Sequence, residues 1–252
     1  MSDGIWSALS GAVAHLAQLD VAANNVANAG TAGFRADHAV FREVLAQATA
    51  PSSNGAPQPP PARNLRYSRV DALAPDTTSA PTLSTGRNLD VAVRGDGWLS
   101  VQTDQGVRYT RAGALQVARD GTLVMHGGVP YLDGSGSPIR VPPDGTDTTV
   151  GPDGAVMVGG ATVGRLKLVA FPDPTVLSRE GALLHKLVDG SDPPAASTAT
   201  LQAGALEMSN VSPVQSMIEI VSASRGFEAC ERAIDAFKQA DERAAMKLMG
   251  AA

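Results

Sequence analysis

The chain has 252 residues, 43% of them hydrophobic and 18% charged, which suits one or two folded domains and excludes a disordered acidic tail. Its formal net charge of −5, without any cluster of Lys and Arg, gives a nucleic-acid partner no electrostatic footprint. Cys230 is the only cysteine, which excludes an internal disulfide, and no apolar run approaches the roughly 20 residues of a membrane-spanning helix.

Residues 1–33 predict an N-terminal helix with a heptad stripe. Ser2 or Asp3 can cap its start, and Gly30 and Gly33 can end it. An ordinary helix packed on its own domain has the same pattern as one that packs on another helix, so the pattern leaves both open. The stripe residues alternate at spacings of 4 and 3, and they are Ile5, Leu9, Ala12, Leu16, Leu19, Ala23 and Val26.

Residues 34–87 predict an extended linker with a Pro-rich loop. The stretch "ATAPSSNGAPQPPPAR" has low complexity, and its prolines favour an extended conformation over a packed core. We therefore interpret residues 48–63 as a linker or an exposed loop. The role of the Pro-rich 51–61 segment does not follow from the sequence.

Residues 88–196 predict a central β domain. Short alternating runs such as "LDVAV", "WLSVQ", "VRYT" and "GRLKLVAF" are typical of strands. Asp-Gly pairs, which favour tight hairpin turns, separate them at 96–97, 120–121, 133–134, 144–145 and 153–154. A calcium-binding β-roll would need a nine-residue repeat, and none occurs here.

Residues 197–252 predict a C-terminal segment with a long helix that begins after Ser212 and Pro213. No proline interrupts 214–249, so the helix is expected to run about 50 Å and to need another helix for its stripe. The fold class is therefore mixed, with terminal heptad helices that form a coiled-coil-like domain and a central β-rich domain. The stripe residues are Ile220, Ala223, Phe227, Cys230, Ile234, Phe237, Asp241, Ala244 and Leu248.

The sequence contains no motif typical of a catalytic or metal-binding site. None of the four histidines has a second His or Cys at metal-ligand spacing, and GxSxG, Walker A and HExxH motifs do not occur. We expect no catalytic residue, no cofactor, no metal and no small-molecule substrate. The N-terminus lacks a basic region and a continuous apolar run, so no cleaved secretory signal is expected.

Three blocks resemble the family of bacterial flagellar axial proteins that form the basal-body rod and the hook. The first block is "LDVAANNVANAGTAGFRAD" (19–37), the second is residues 84–132, from "STGRNLDVAV" to "GVPYL", and the third is residues 201–234, from "LQAGALEMSN" to "ACERAI". They occur in the family's order. "GFRAD", "GDGWLSVQT" and "VGRLKLV" are most similar to the proximal-rod member, whereas "AVFREVL" is more similar to the distal-rod member.

The resemblance implies a structural subunit of the flagellar basal-body rod, a hollow drive shaft that spans the periplasm. It implies that the terminal helices line the tube and pack on copies of the chain and on other rod subunits. It also implies delivery by the flagellar type III export apparatus without a cleaved signal peptide. The expected subunit-contact residues are Ile5, Leu9, Leu16, Leu19, Asn24, Asn25, Asn28, Ile220, Phe227, Ile234 and Phe237.

Within that surface, small residues such as Ala22 and Ala23 are expected to let helices approach closely. Asn24, Asn25 and Asn28 are expected to bond backbone groups where the helix gives way to an extended segment. The alternatives are a distal-rod or hook-type subunit and a non-flagellar secreted β-domain protein.

Overall fold

The computed structural model describes residues 2–46, 65–142 and 148–249. Within these ranges the chain divides into two compact units. The first comprises the described parts of Met1–Asn24, Ala39–Ala72 and Val214–Ala252, and the second comprises Asn25–His38 and Leu73–Pro213. The Pro-rich residues 51–61 lie outside the described residues.

Two helices dominate the first unit. Helix α1 spans Ser2–Ala27, and helix α2 spans the 37 residues Pro213–Met249. Helix α2 begins at Pro213, where a proline costs nothing because the first helical N–H has no intrahelical partner. Strands β1 (Asp37–Ala46) and β2 (Leu65–Pro75) form a two-stranded sheet. Part of the predicted 34–87 linker is therefore paired strand.

The second unit is built from short strands. In chain order they are β3 (Thr82–Ser84), β4 (Val91–Arg94), β5 (Trp98–Thr103), β6 (Gly106–Thr110), β7 (Gln116–Val117), β8 (Leu123–Val124), β9 (Thr148–Val150), β10 (Ala155–Val158), β11 (Ala161–Arg165), β12 (Leu168–Ala170), β13 (Leu177–Glu180), β14 (Leu184–Leu187), β15 (Ala195–Ala196), β16 (Thr200–Ala203) and β17 (Ala205–Glu207). The central β-rich region predicted from the alternating runs is thus confirmed.

The largest sheet has six strands in the order β13-β14-β6-β5-β12-β15, and its described pairs are antiparallel. A three-stranded sheet has the order β11-β10-β9, and the pairs β16-β4, β17-β3 and β7-β8 complete the unit. Strands β16 and β17 come from the third sequence block and pair with strands near the start of the second block. The last strands of the unit are therefore paired with its early strands.

The core of the second unit combines side chains from several sheets. Leu99, Leu115, Leu123 and Val156 are fully buried within one apolar cluster. Tyr131 is fully buried in it as well, and its hydroxyl donates a hydrogen bond of 2.7 Å to the Ala112 carbonyl. The buried members of this core lie between residues 91 and 201, outside both terminal helices.

The turns of the β unit use glycine at the positions that need a positive φ, but only some follow the predicted Asp-Gly pairs. Gly121 (φ 80°) lies between β7 and β8, and Gly154 (φ 82°) lies between β9 and β10. Near 96–97 and 133–134 the positive φ belongs to Gly95 and Gly136 instead. The pair at 144–145 lies outside the described residues.

Candidate functional site

Helices α1 and α2 pack antiparallel through small residues. Gly4 faces the Phe237 ring, and a Cβ added at Gly4 would lie 2.6 Å from Phe237 Cζ. A Cβ at Gly11 would lie 3.1 Å from Cys230 Sγ. Further along, a Cβ at Gly226 would lie 2.5 Å from His15 Cε1. The residue numbers on α2 fall from 237 to 226 as those on α1 rise from 4 to 15, so the two closely packed helices run antiparallel.

On α2 the side chains that meet α1 include Cys230 and Phe237 of the predicted stripe, whereas on α1 they belong to residues beside the stripe. Ala223 in the α2 stripe is 3% exposed, and its neighbours in the stripe are partly buried. On α1, Leu9 and Leu16 are 42% and 45% exposed, although both belong to the predicted stripe. Gly4, Gly11 and His15 face α2 instead. The reason is steric: glycine lets the backbones approach, whereas a leucine at these positions would hold them apart.

The expected subunit-contact residues therefore lie in different environments. Ile220, Phe227 and Ile234 are partly buried on the face of α2 that meets α1, so part of their surface is already used within the chain. Ile5, Leu19 and Asn28 are also partly buried, Asn25 is buried, and Leu9, Leu16, Asn24 and Phe237 are exposed.

A second apolar face remains exposed on α1. Trp6 is 62% exposed and Val13 is 57% exposed, and with Leu9 and Leu16 they repeat at spacings of 3, 4 and 3. At about 100° per residue these four side chains lie on the side of α1 that points away from Gly4, Gly11 and His15. We call Trp6, Leu9, Val13 and Leu16 the α1 outer stripe.

Helix α2 has a matching exposed face near its start. Val214, Met217, Ile218 and Val221 are between 50% and 70% exposed, and with Ser222 and Arg225 they line a shallow groove. We call this surface the α2 outer groove. It lies on the side of α2 opposite Gly226 and Cys230, by the same angular argument. Contiguous exposed apolar surface of this kind marks an association site.

The turn after α1 is held within the second unit by Asn25. Its Nδ2 donates to the Asp37 carbonyl, and its Oδ1 accepts from the Asp37 N–H, both at 3.0 Å. Asn28 Oδ1 accepts from Thr31 Oγ1 at 3.3 Å. Asn25 therefore bonds the extended segment, as the sequence predicts, but its side chain is buried within the chain.

Two buried arginines share one carboxylate in the second unit. Arg35 and Glu207 form an ion pair at exposures of 1% and 4%, and Arg111 Nη1 lies 3.3 Å from Glu207 Oε2. Arg35 Nη1 also donates to the Thr78 carbonyl at 2.8 Å. Burial, followed by repulsion from Arg35, lowers the pKa of Arg111. Glu207 is the group that offsets both positive charges.

A second ion pair continues this cluster. Arg179 pairs with Asp37 and donates to the Arg35 carbonyl, and its guanidinium lies 4.3 Å from the centre of the Phe34 ring. Two residues of the segment "GFRAD" are therefore held by ion pairs, Arg35 by Glu207 and Asp37 by Arg179. The sequence pattern did not predict this cluster. The one signal in the sequence is that three charged residues, Arg35, Asp37 and Glu207, lie beside apolar residues in the first and third blocks.

The cluster consists of buried ion pairs that connect distant segments of the second unit, which is typical of a structural role. Its carboxylates are each paired with a guanidinium. Among residues 2–46, 65–142 and 148–249, no group of His, Cys, Asp or Glu side chains is arranged to hold a metal ion. In those same ranges, no helix is long and apolar enough to cross a membrane.

The first unit contributes a helical pair with exposed apolar faces, and the second unit contains a buried charge cluster; both are features of a structural protein. Three family models match the chain in order. "Flagella basal body rod protein" matches residues 5–35, "Flagellar hook protein FlgE/F/G D1 domain" matches 92–158, and "Flagellar basal body rod FlgEFG protein C-terminal" matches 202–248.

Curated relatives cover almost the whole chain. The flagellar basal-body rod protein FlgF of Escherichia coli is 35% identical over 248 residues, which cover 90% of this chain and 91% of that protein. FlgF of Salmonella typhimurium is 33% identical over 97% of both chains. The rod protein FlgG of Bacillus subtilis is 32% identical over 93% of this chain and 94% of that protein. The chain belongs to the flagellar basal-body rod protein family, whose members are structural proteins and not enzymes.

Proposed function

We propose that the chain is a subunit of the proximal rod, which polymerises through its terminal helices into the hollow drive shaft that transmits torque and passes exported subunits. The observation that carries this proposal is the pair of exposed apolar faces on α1 and α2. Both faces remain after the two helices have packed on each other, so they need partners outside the chain. Burial of such side chains stabilises an association by roughly 1.5–3 kcal/mol each.

The proposed partners are copies of this chain, other rod subunits and the flagellar type III export apparatus. The proposed location is the part of the basal-body rod that spans the periplasm, reached without cleavage of a signal peptide. The resemblance of residues 19–37 and 201–234 to the family's terminal signatures supports this route. No nucleic acid and no small-molecule substrate belong to the proposed function.

The proximal assignment rests on short segments. "GFRAD", "GDGWLSVQT" and "VGRLKLV" resemble the proximal-rod member, and the first of these is the segment that the buried cluster fixes. "AVFREVL" (39–45) resembles the distal-rod member, so a distal-rod or hook-type subunit is the second candidate. Relatives named FlgF and FlgG are similar to the chain to nearly the same degree, at 35% and 32% identity.

The test is complementation of a strain that lacks the gene, followed by density maps of its isolated basal bodies. We expect loss of swimming without the chain, recovery with it, and density for the second unit in the part of the rod nearest the inner membrane. Density for that unit beside the hook would instead establish the distal or hook-type role. Recovery of the chain in the culture medium, with complete basal bodies in its absence, would establish the secreted β-domain alternative.

A further inference from the structure

The two exposed faces of the first unit lie on opposite sides of the helical pair. The α1 outer stripe points away from α2, and the α2 outer groove points away from α1. Neither face can therefore reach the other within one chain. The faces also differ from each other, so one cannot pair with itself as two equal surfaces do in a two-fold dimer.

We infer that the α1 outer stripe of one copy docks, antiparallel, into the α2 outer groove of a second copy of this chain. The inference rests on the proposed function and names the contact by which the subunit polymerises. In an antiparallel register the apolar side chains meet in three steps. The steps place Leu16 against Val214, Val13 against Met217, and Leu9 against Val221.

The next step of this register brings Trp6 to Arg225. Both side chains are exposed, and no ion pair involves Arg225 among the contacts of the described residues. A guanidinium over the face of an indole is a favourable cation–π pair, and tryptophan is the best aromatic partner for it. Trp6 ends the α1 outer stripe and Arg225 ends the α2 outer groove, so the two surfaces have the same length and complementary side chains at this end.

The opposite end of the register is complementary too. Asp20 is exposed and continues the α1 outer stripe one turn beyond Leu16. In the docked pair it extends past Val214, next to the N-terminal end of α2, where the helix dipole favours a negative charge. A parallel register would instead bring Asp20 to Arg225 and leave Trp6 beyond the start of α2 without a helical partner.

The antiparallel register also fixes the polarity of the assembly. Helix α2 runs opposite to α1 within each copy, so antiparallel docking makes every α1 point the same way. Such a head-to-tail contact between unlike surfaces continues from copy to copy and builds an open polar series. A parallel register would reverse each successive copy, which does not suit a tube that passes subunits from base to tip.

The test is disulfide crosslinking in isolated basal bodies. Two tagged versions of the chain, Val13→Cys and Met217→Cys, each also carrying Cys230→Ser, are co-expressed in a strain that lacks the native gene. On mild oxidation we expect an adduct of twice the chain mass of 25.8 kDa that carries both tags. Either version alone should give no adduct. Val13→Cys with Glu231→Cys, an exposed position on another face of α2, should give none either.

The outcomes separate this inference from the proposed function. If the chain is present in the basal bodies but forms no mixed adduct, forms an adduct between like cysteines, or crosslinks to a different protein, the inference is wrong and the rod assignment stands. If the chain is absent from the basal bodies, both fail. Arg225→Glu should lower the yield of mixed adduct severalfold, and adding Trp6→Lys should restore it by an ion pair at the same step. Failure of that restoration would overturn the antiparallel register.

Discussion

Arg35 and Glu207 form a buried ion pair although 172 residues separate them in the chain. Arg35 follows the turn after α1, and Glu207 ends β17, six residues before α2 begins. The pair therefore joins the two segments of the second unit that are nearest in sequence to the terminal helices. Arg111 also contacts Glu207, so the connection between these segments depends on one carboxylate that balances two guanidinium groups.

Replacing that carboxylate should destabilise the second unit strongly. Glu207→Gln keeps the shape of the side chain but leaves Arg35 and Arg111 buried without their counter-charge. Breaking a buried pair in this way costs roughly 3–5 kcal/mol. We expect a loss of this size in the free energy of unfolding, measured by urea denaturation of the purified chain.

Glu180→Gln is the matched control. Glu180 pairs with Arg108 at 2.8 Å, but its side chain is 33% exposed, so water solvates the glutamate side chain when the pair is lost. Arg108 keeps its hydrogen bonds to the Gln105 and Val107 carbonyls. The expected cost is about 1 kcal/mol or less. An equal loss in the free energy of unfolding for the two substitutions would mean that the buried cluster stabilises the second unit no more than the partly exposed pair does.

His185 should make the second unit sensitive to acid. It is 1% exposed, and burial, followed by repulsion from Arg179, lowers its pKa from 6.5 to about 3. The unfolded chain takes up a proton as the pH falls through 6.5, whereas the folded unit does not until near 3. The stability is therefore complete above pH 6.5 and is lost progressively between 6.5 and 3. At pH 5 the loss attributable to His185 is roughly 2 kcal/mol.

The measurement is the free energy of unfolding at pH 7 and pH 5 for the native chain and for His185→Phe. The variant keeps an aromatic ring beside Trp98, whose ring centre lies 4.8 Å from that of His185. Carboxylates contribute equally to both proteins, so the difference in their pH dependence isolates His185. An identical slope in the native chain and His185→Phe would disprove the assignment.

The antiparallel pair of α1 and α2 should be captured by a single new cysteine. Gly11→Cys places its Cβ 3.1 Å from Cys230 Sγ, which is close enough for a disulfide to form. We expect oxidation of the purified chain to give an intrachain bond, detected as faster migration on a non-reducing gel at unchanged mass. Val13→Cys, on the opposite face of α1, should give no intrachain bond with Cys230. Faster migration of both variants, or of neither, would contradict the antiparallel packing of α1 on α2.

Charge on the inner face of α2 should affect both the helical pair and the rod. Ile234 is partly buried on the face that meets α1, and an unpaired carboxylate there costs several kcal/mol because it must be desolvated or protonated. We expect Ile234→Asp to abolish swimming and incorporation into basal bodies, and also to lower the yield of the disulfide between Gly11→Cys and Cys230. Asp241→Asn, on the same stripe, should be mild in both assays.

Ile218→Asp tests the outer face separately. Ile218 is 57% exposed in the α2 outer groove, so its replacement should leave the intrachain disulfide intact while incorporation into basal bodies is lost. Normal swimming with Ile218→Asp would remove this groove from the subunit contacts. Loss of the disulfide as well would show that the substitution acts on the helical pair instead.

The sequence by itself determined the kinds of element and their order. Heptad spacing, the proline at 213 and the alternating runs predict helix, β unit and long helix, because side-chain periodicity follows directly from backbone geometry. It also determined the family, since three ordered blocks resemble it. The face of α2 that meets α1 follows from the same periodicity, and Ala223 in that stripe is buried.

Only the tertiary structure decided which face of α1 is inward. Apolar periodicity favours Leu9 and Leu16, but the close approach of two backbones requires Gly4 and Gly11, so the leucines remain outside. The buried cluster was equally beyond the sequence, because its charged residues come from four places far apart in the chain and each alone is typical of a solvated surface. Arg35 and Asp37 share one segment, and Arg111, Arg179 and Glu207 come from three others. The charges pair with one another only because folding buries all of them in the same place, away from water.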